Sequence, residues 1–287
     1  MSKPTKMEII QSPQTMQRRA LELKRQGRSI GFVPTMGFLH EGHLSLMRLV
    51  RTRCDVLVVS IFVNPTQFGP NEDLAAYPRD FARDESLCEQ DGADIIFYPD
   101  AKSMYAENAS VWVDEGSLSA VLCGASRAGH FRGVCTVVAK LFNLVQPDFV
   151  VFGEKDAQQL RMMERMVRDL NFPIEIIRAP IVREPDGLAM SSRNKYLSDT
   201  QRQNARCLKN ALELAERLAG EGERNVSTLR QAMSDLIERI PAAAIDYIEF
   251  MDDETLESVE FAEERVLIAM AVKIGSTRLI DNMILDV

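Results

Sequence analysis

The chain has 287 residues, 46% of them apolar and 26% charged, with three histidines and a net charge of -8. That length can bury a substantial core in one large domain or two ordinary ones, and no low-complexity tract, Gly/Ser linker or Pro-rich run interrupts it. An acidic balance argues against a nucleic-acid partner, and the absence of any apolar run near the roughly 20 residues that cross a bilayer, with no leader-like stretch in MSKPTKMEIIQSPQ, predicts a cytoplasmic protein with no membrane partner.

In chain order, SIGFVPT (Ser29 to Thr35) follows a polar helical stretch and is apolar and β-branched up to Pro34, which suits a first strand running into a turn. HLSLMRLVRTR then spaces Leu44, Met47 and Val50 by three residues, the stripe of an amphipathic helix. DVLVVSIFV (Asp55 to Val63) is almost continuously apolar, the pattern of a strand covered on both faces. The alternation continues through NEDLAAYPRDFARDESLCEQDG (turns and a helix), ADIIFYP (strand), CTVVAKLFNLVQ (helix), DFVVFG (strand), DAQQLRMMERMVRDLN (helix) and IEIIRAPIV (strand). Such alternation predicts an α/β chain with a Rossmann-like, doubly wound parallel sheet, whose ligands bind beyond the carboxyl ends of the strands.

After REPDG the texture changes. The helical region DTQRQNARCLKNALELAERLA, the charged linker GEGERN and the helix VSTLRQAMSDLIERI lead into AIDYIEFMD and ERVLIAMAVKIG, two strands of a small sheet. A boundary near Asp186 gives a larger domain over residues 1–186 and a smaller α+β domain over 187–287. The smaller one carries 12 Lys and Arg against 18 Asp and Glu, so most of the acidity sits there and anion handling is expected in the front of the chain. Cys54, Cys88, Cys123, Cys135 and Cys207 are far apart and form no metal-ligand spacing, so they are expected to be reduced and structural.

Four loops follow predicted strand ends. PTMGFLHEGH puts His40 and His43 on one side of a helix start near Gly42, where unpaired N–H groups and the helix dipole attract phosphate. Taken alone, the pair fits equally a helix cap with an incidental neighbour. A zinc site lacks a third ligand, the remaining histidine being His130, so no metal site is expected. NPTQFG offers Asn64 and Gln67, carboxamides suited to a polyol or carboxylate. GEKDAQQ offers Lys155 as a point charge, Asp156 as a helix N-cap and Gln159 one turn in. VREPDGLAMSSRN ends in two hydroxyls and an arginine suited to polyphosphate. Each fits a turn satisfied by its own backbone as well; their joint order along the chain is the stronger signal.

HxGH after the first strand with a later Ser-Ser-Arg resembles the nucleotidylyltransferase superfamily. The longer strings VPTMGFLHEGHLSL, VSIFVNPTQFGPNEDLAAYPRD, GHFRGVCTVVAKLFNLVQPD, FGEKDAQQL and REPDGLAMSSRN resemble, more narrowly, the pantoate-β-alanine ligases. One departure is Ala128, where that family more often has proline. The resemblance implies condensation of pantoate with β-alanine through a pantoyl adenylate, with ATP as co-substrate, Mg2+ on its phosphates and a homodimer. It implies an ATP site at Met36, Gly37, Phe38, Leu39, His40, Glu41, Gly42 and His43, at Gly153, Glu154, Lys155 and Asp156, at Val182, and at Met190, Ser191, Ser192 and Arg193. His43, His40 and Lys155 would stabilise charge on the α-phosphate, with His43 as proton donor. Gln67 and Gln159 would hold pantoate, with Asn64 at the same rim, and Arg127 and His130 would organise the entrance or neutralise phosphate. The rivals are a nucleotidyltransferase that leaves its nucleotide on the product, a tRNA synthetase, disfavoured by size and acidity, and a nucleotide sensor that kept the fold without the chemistry.

Overall fold

A computed structural model describes residues 7–70 and 72–286. The opening MSKPTK and Asn71, at the head of the predicted NEDL turn, lie outside the described residues. The chain divides into two compact units: Met1–Gly116, Arg127–Glu154 and Met162–Pro180 form the first, and Ser117–Ser126, Lys155–Arg161 and Ile181–Val287 the second.

The first unit is built on six parallel strands: β1 (Glu8–Ile10), β2 (Ile30–Thr35), β3 (Val56–Ile61), β4 (Ile95–Phe97), β5 (Phe149–Gly153) and β6 (Glu175–Ala179), in the order β1-β4-β3-β2-β5-β6. Around them lie α1 (Pro13–Arg25), α2 (Glu41–Arg51), α3 (Phe81–Gln90), the single turn α4 (Ala101–Met104) and, further along, α6 (His130–Val145). The alternation therefore yields the doubly wound sheet that its pattern predicts. All six residues of β3 are buried, as its unbroken apolar run requires. Leu44, Met47 and Val50 of α2 pack with Val33, Val59 and Ile61 in one cluster. From β2 the chain moves to β3 on one side and later returns to β5 on the other, so the crevice at the carboxyl ends of β2 and β5 is the switch point where such sheets bind ligands.

Two details depart from the expected elements. β2 continues through Pro34 to Thr35, because β5 pairs with β2 only at Gly31 and Phe32 and the missing N–H of Pro34 falls beyond that ladder. β1 is a three-residue edge strand, too short to show alternation in sequence.

The second unit contains an antiparallel sheet of β7 (Ala243–Asp252), β8 (Arg265–Ile274) and β9 (Thr277–Asp286) with α5 (Leu122–Ser126), α8 (Asp199–Ala205), α9 (Cys207–Gly220) and α10 (Val226–Glu238). The predicted single helix over 199–219 is two, meeting at Arg206, whose backbone stays helical (φ -60, ψ -17). Leu208 and Leu212 of α9 and Leu229 and Met233 of α10 pack against Phe250, Ile268 and Met270. β9 carries no clean apolar signal because Asp281 and Asn282 occupy buried positions; Asp281 is held there by Arg183 through two bonds of 2.7 and 2.9 Å. Between the units' sequence segments runs α7 (Ala157–Asp169), whose first residues belong to the second unit and the rest to the first.

Gly31 sets the distance between β2 and α2: a Cβ there would meet Cys54 Sγ at 2.6 Å and Val50 Cγ2 at 2.7 Å. Gly31→Ala should therefore lower unfolding free energy by about 1–3 kcal/mol in urea denaturation, and unchanged stability would show that the helix seats elsewhere.

Candidate active site

Beyond Thr35 the chain turns sharply under local control. Thr35 Oγ1 donates to the Ser60 carbonyl at 2.7 Å and accepts the Gly37 amide at 3.1 Å. Gly37 has φ +81 and Phe38 φ +50, left-handed conformations that cost a side-chain-bearing residue roughly 1–2 kcal/mol. Asp84 holds them. Its Oδ2 accepts the Phe38 amide and its Oδ1 the Leu39 amide, both at 2.7 Å. The carboxylate is 1% exposed, and burial pushes its pKa up against the pull of the two amide bonds. Gly37 has no alternative here, since a Cβ would lie 2.9 Å from Asp84 Oδ2. The Arg83 guanidinium sits 5.2 Å from the centre of the Phe38 ring.

This turn delivers His40 to the cap position of α2 in extended backbone (φ -139, ψ 174). The His40 carbonyl accepts the amides of His43 at 2.8 Å and Leu44 at 3.2 Å, while the His40 amide donates to His43 Nδ1 at 3.3 Å. Nδ1 of His43 is therefore an acceptor, and in the neutral ring the proton resides on Nε2. The two imidazoles lie 4.1 Å apart, centre to centre. The pair shapes the helix start, and that shaping fixes which nitrogen of His43 can donate. A cavity of about 270 Å³ opens beside this turn, bounded by Met36, Gly37, Phe38, Phe62, Arg79 and Tyr98.

After β3, Asn64 caps a 3-10 turn, Pro65–Gln67. Asn64 is 1% exposed and its carboxamide is spent internally: Oδ1 accepts from the hydroxyls of Thr66 and Tyr105 at 2.9 Å each, and Nδ2 donates to Gln67 Oε1 at 3.0 Å and to the Gly133 carbonyl at 3.2 Å. Gln67 Nε2 in turn donates to Met36 Sδ at 3.1 Å, joining this turn to the one before α2. Of the residues expected from sequence, the first unit thus brings Met36, His40, His43, Asn64 and Gln67 into two linked turns, with Gly153 and Glu154 at the end of β5.

The second unit holds Lys155, Asp156, Gln159, Val182 and Met190 to Arg193. Glu154–Asp156 forms a 3-10 turn that leads directly into α7 at Ala157, and Lys155 Nζ is 3.9 Å from the Asp156 carboxylate. Gln159 is half-buried, while its neighbour Gln158 is buried and holds the carbonyls of Leu118 and Val121 at 2.7 Å each. The Met190 amide donates to the Val182 carbonyl at 3.0 Å, which places those two expected residues side by side. Ser191 Oγ accepts the Arg193 amide at 3.2 Å, Ser192 is buried, and Asn194 ties the loop down by donating to Glu184 at 2.6 Å and to the Ala189 carbonyl at 3.1 Å.

Sequence reasoning missed Asp84, although a signal exists: with Phe81 and Cys88 it occupies positions i, i+3 and i+7 of α3, a carboxylate on the buried stripe. Asp84→Asn would set an NH2 group against an amide donor. It should lower unfolding free energy by roughly 1.5–3 kcal/mol and speed amide exchange at Phe38 and Leu39 at least about tenfold; unchanged exchange there would show that the turn is held by something else.

The sequence profile of the family described as pantoate-beta-alanine ligase matches residues 8–284. The pantothenate synthetase of Geobacter sulfurreducens is 56% identical over 279 residues, spanning 97% of this chain and 99% of its own length. That of Thermotoga petrophila is 54% identical over 279 residues, spanning 97% and 100%. Among solved structures, the pantothenate synthetase of Thermus thermophilus matches with a TM-score of 0.91 at 43% identity, over 96% of this chain and 99% of that one. The pantoate-beta-alanine ligase of Francisella tularensis, solved in complex with beta-gamma ATP and beta-alanine, matches with a TM-score of 0.80 at 33% identity, over 96% and 97%. A profile spanning almost the whole chain, together with relatives above half identity, makes this chain a member of the pantoate-beta-alanine ligase family.

Proposed function

We infer that the protein condenses (R)-pantoate with β-alanine at the expense of ATP, in two steps. The pantoate carboxylate attacks the α-phosphorus of ATP and expels pyrophosphate, giving pantoyl adenylate. The amine of β-alanine then attacks the acyl carbon, loses a proton and expels AMP, leaving pantothenate. The observation that carries this reading is the Asp84-held turn at the sheet's switch point, with His43 committed to backbone through Nδ1 and carrying its proton on Nε2. The beta-gamma ATP and beta-alanine bound by the Francisella relative support the same substrates.

The first transition state gathers negative charge on the α-phosphoryl oxygens, and fixed donors placed where that charge appears lower its free energy most. His43, His40 and Lys155 have that role, with His43 as proton donor. The backbone from Met36 to His43, Gly153 to Asp156, Val182 and Met190 to Arg193 binds ATP. Gln67 and Gln159 take the pantoate hydroxyl and carboxylate, and Asn64 acts through Gln67. Mg2+ carried on the ATP phosphates would neutralise the charge of the departing pyrophosphate. Residues 1–186 act as the substrate domain and 187–287 as its lid, in a cytoplasmic homodimer.

Incubation with ATP, pantoate and β-alanine should release AMP and pyrophosphate only when pantoate is present; pyrophosphate release indifferent to pantoate would contradict the reading and favour a different nucleotide transfer. His43→Ala should cut kcat roughly a hundredfold or more, whereas a nucleotide sensor would bind ATP and show no turnover to lose.

A further inference from the structure

A partly buried polar chain outside these roles ends on Gln67. Arg127 grips Glu72 through two bonds, Nε to Oε1 at 2.6 Å and Nη2 to Oε2 at 2.8 Å. Its third donor, Nη1, lies 2.8 Å from His130 Nε2, and His130 Nδ1 lies 2.8 Å from the carbonyl oxygen of Gln67. Arginine can only donate, so His130 Nε2 accepts and Nδ1 carries the proton to Gln67. Both contacts hold together only for a neutral imidazole. His130 is 9% exposed and opens α6, the helix whose Gly133 packs so closely on the Asn64 turn that a Cβ there would lie 2.4 Å from the Thr66 carbonyl oxygen. The clamp on Gln67 is thus doubled, with Asn64 on its side chain and His130 on its backbone.

We propose that Glu72, Arg127 and His130 are positioning residues that fix Gln67 for pantoate, and that protonation of His130 releases it. The inference rests on Gln67 being a pantoate contact. An imidazolium would turn an N–H toward the guanidinium at hydrogen-bond distance. Because Arg127 is pinned by both oxygens of Glu72, the ring yields and the Gln67 bond goes with it. The charged and titratable groups that the described residues set against His130 include Arg127, Glu72 and, reached through Thr66 and Asn64, the Tyr105 hydroxyl. The Arg127 bond pulls the Glu72 carboxyl down to about 2, below its ordinary value of 4.5, so the stability this pair adds is complete above that ordinary value and fades only as pH falls toward about 2. Burial raises the Tyr105 hydroxyl further from neutrality. Of these groups the imidazole is the one whose protonation breaks the geometry, and burial beside a guanidinium keeps it neutral until the pH falls.

The test is the pantoate KM, the ATP KM and kcat of wild type, His130→Gln and His130→Ala between about pH 7.5 and about 5.5. Glutamine can accept from Arg127 and donate to Gln67 without titrating. Wild type should lose pantoate affinity toward acid, its pantoate KM rising as the neutral, clamping form of His130 is depleted. His130→Gln should keep a pantoate KM within about threefold of wild type near neutrality and lose the acid rise. His130→Ala should raise pantoate KM about tenfold at both ends, with the ATP KM little changed. A pantoate KM in His130→Gln that climbs toward acid as steeply as in wild type would overturn the inference, because another group would then be titrating. Folded His130→Ala with wild-type pantoate KM would overturn it too. Either result, with pantoate-dependent turnover in wild type, leaves the assigned reaction standing; turnover independent of pantoate removes the reaction and this inference together.

Discussion

One buried carboxylate organises the turn on which the assigned chemistry depends. Asp84 reaches from α3 to take two successive amides of the segment that follows β2. Those amides belong to residues at and just after two left-handed positions, Gly37 and Phe38, a path that costs free energy without outside support. Charge-assisted bonds to a desolvated acceptor contribute more than neutral ones, which is enough to offset that cost. The cap of α2, the acceptor role of His43 Nδ1 and the direction of its proton all follow from where this turn puts His40.

The neighbouring turn obeys the same logic with neutral groups. Asn64 uses both donors and its carbonyl oxygen within the protein, and a carboxamide so committed is rigid in a way that a solvated one is not. Gln67 inherits that rigidity from Asn64, passes it to Met36, and receives a second constraint from His130. The absence of a side chain at Gly133 is what allows α6 to approach closely enough for both. Site geometry in the first unit is therefore set by helices that approach the loops from behind, while the loops carry the groups assigned to substrate.

Much of this was legible in sequence, and the reasons are physical. β3 announces itself because a strand buried on both faces cannot tolerate polar residues, and α2 because burial of one stripe imposes its spacing. HEGH, NPTQFG, GEKDAQQ and MSSRN stand out as candidates because strand ends in alternating α/β chains are where ligands bind. What stayed hidden depends on contacts distant in sequence. Asp84 lies 45 residues from the Leu39 amide it holds, and Glu72 lies 55 from Arg127. β9 was obscured by Asp281, a buried charge intelligible only once Arg183 is seen beside it. Asn64 was singled out for its chemistry, and only the packing around it shows its amide turned inward to Gln67.

In the proposed reaction pantoate is activated as an acyl adenylate, with its own carboxylate oxygen bonded to the α-phosphorus. Pantoate labelled with heavy oxygen in both carboxylate positions tests this directly. Each turnover should transfer one labelled oxygen to AMP, because the bridging oxygen leaves with the phosphoryl group when β-alanine attacks, and should leave the other in the amide carbonyl of pantothenate. AMP free of label, with both heavy oxygens absent from it at full conversion, would contradict the mechanism and the role given to the histidine pair.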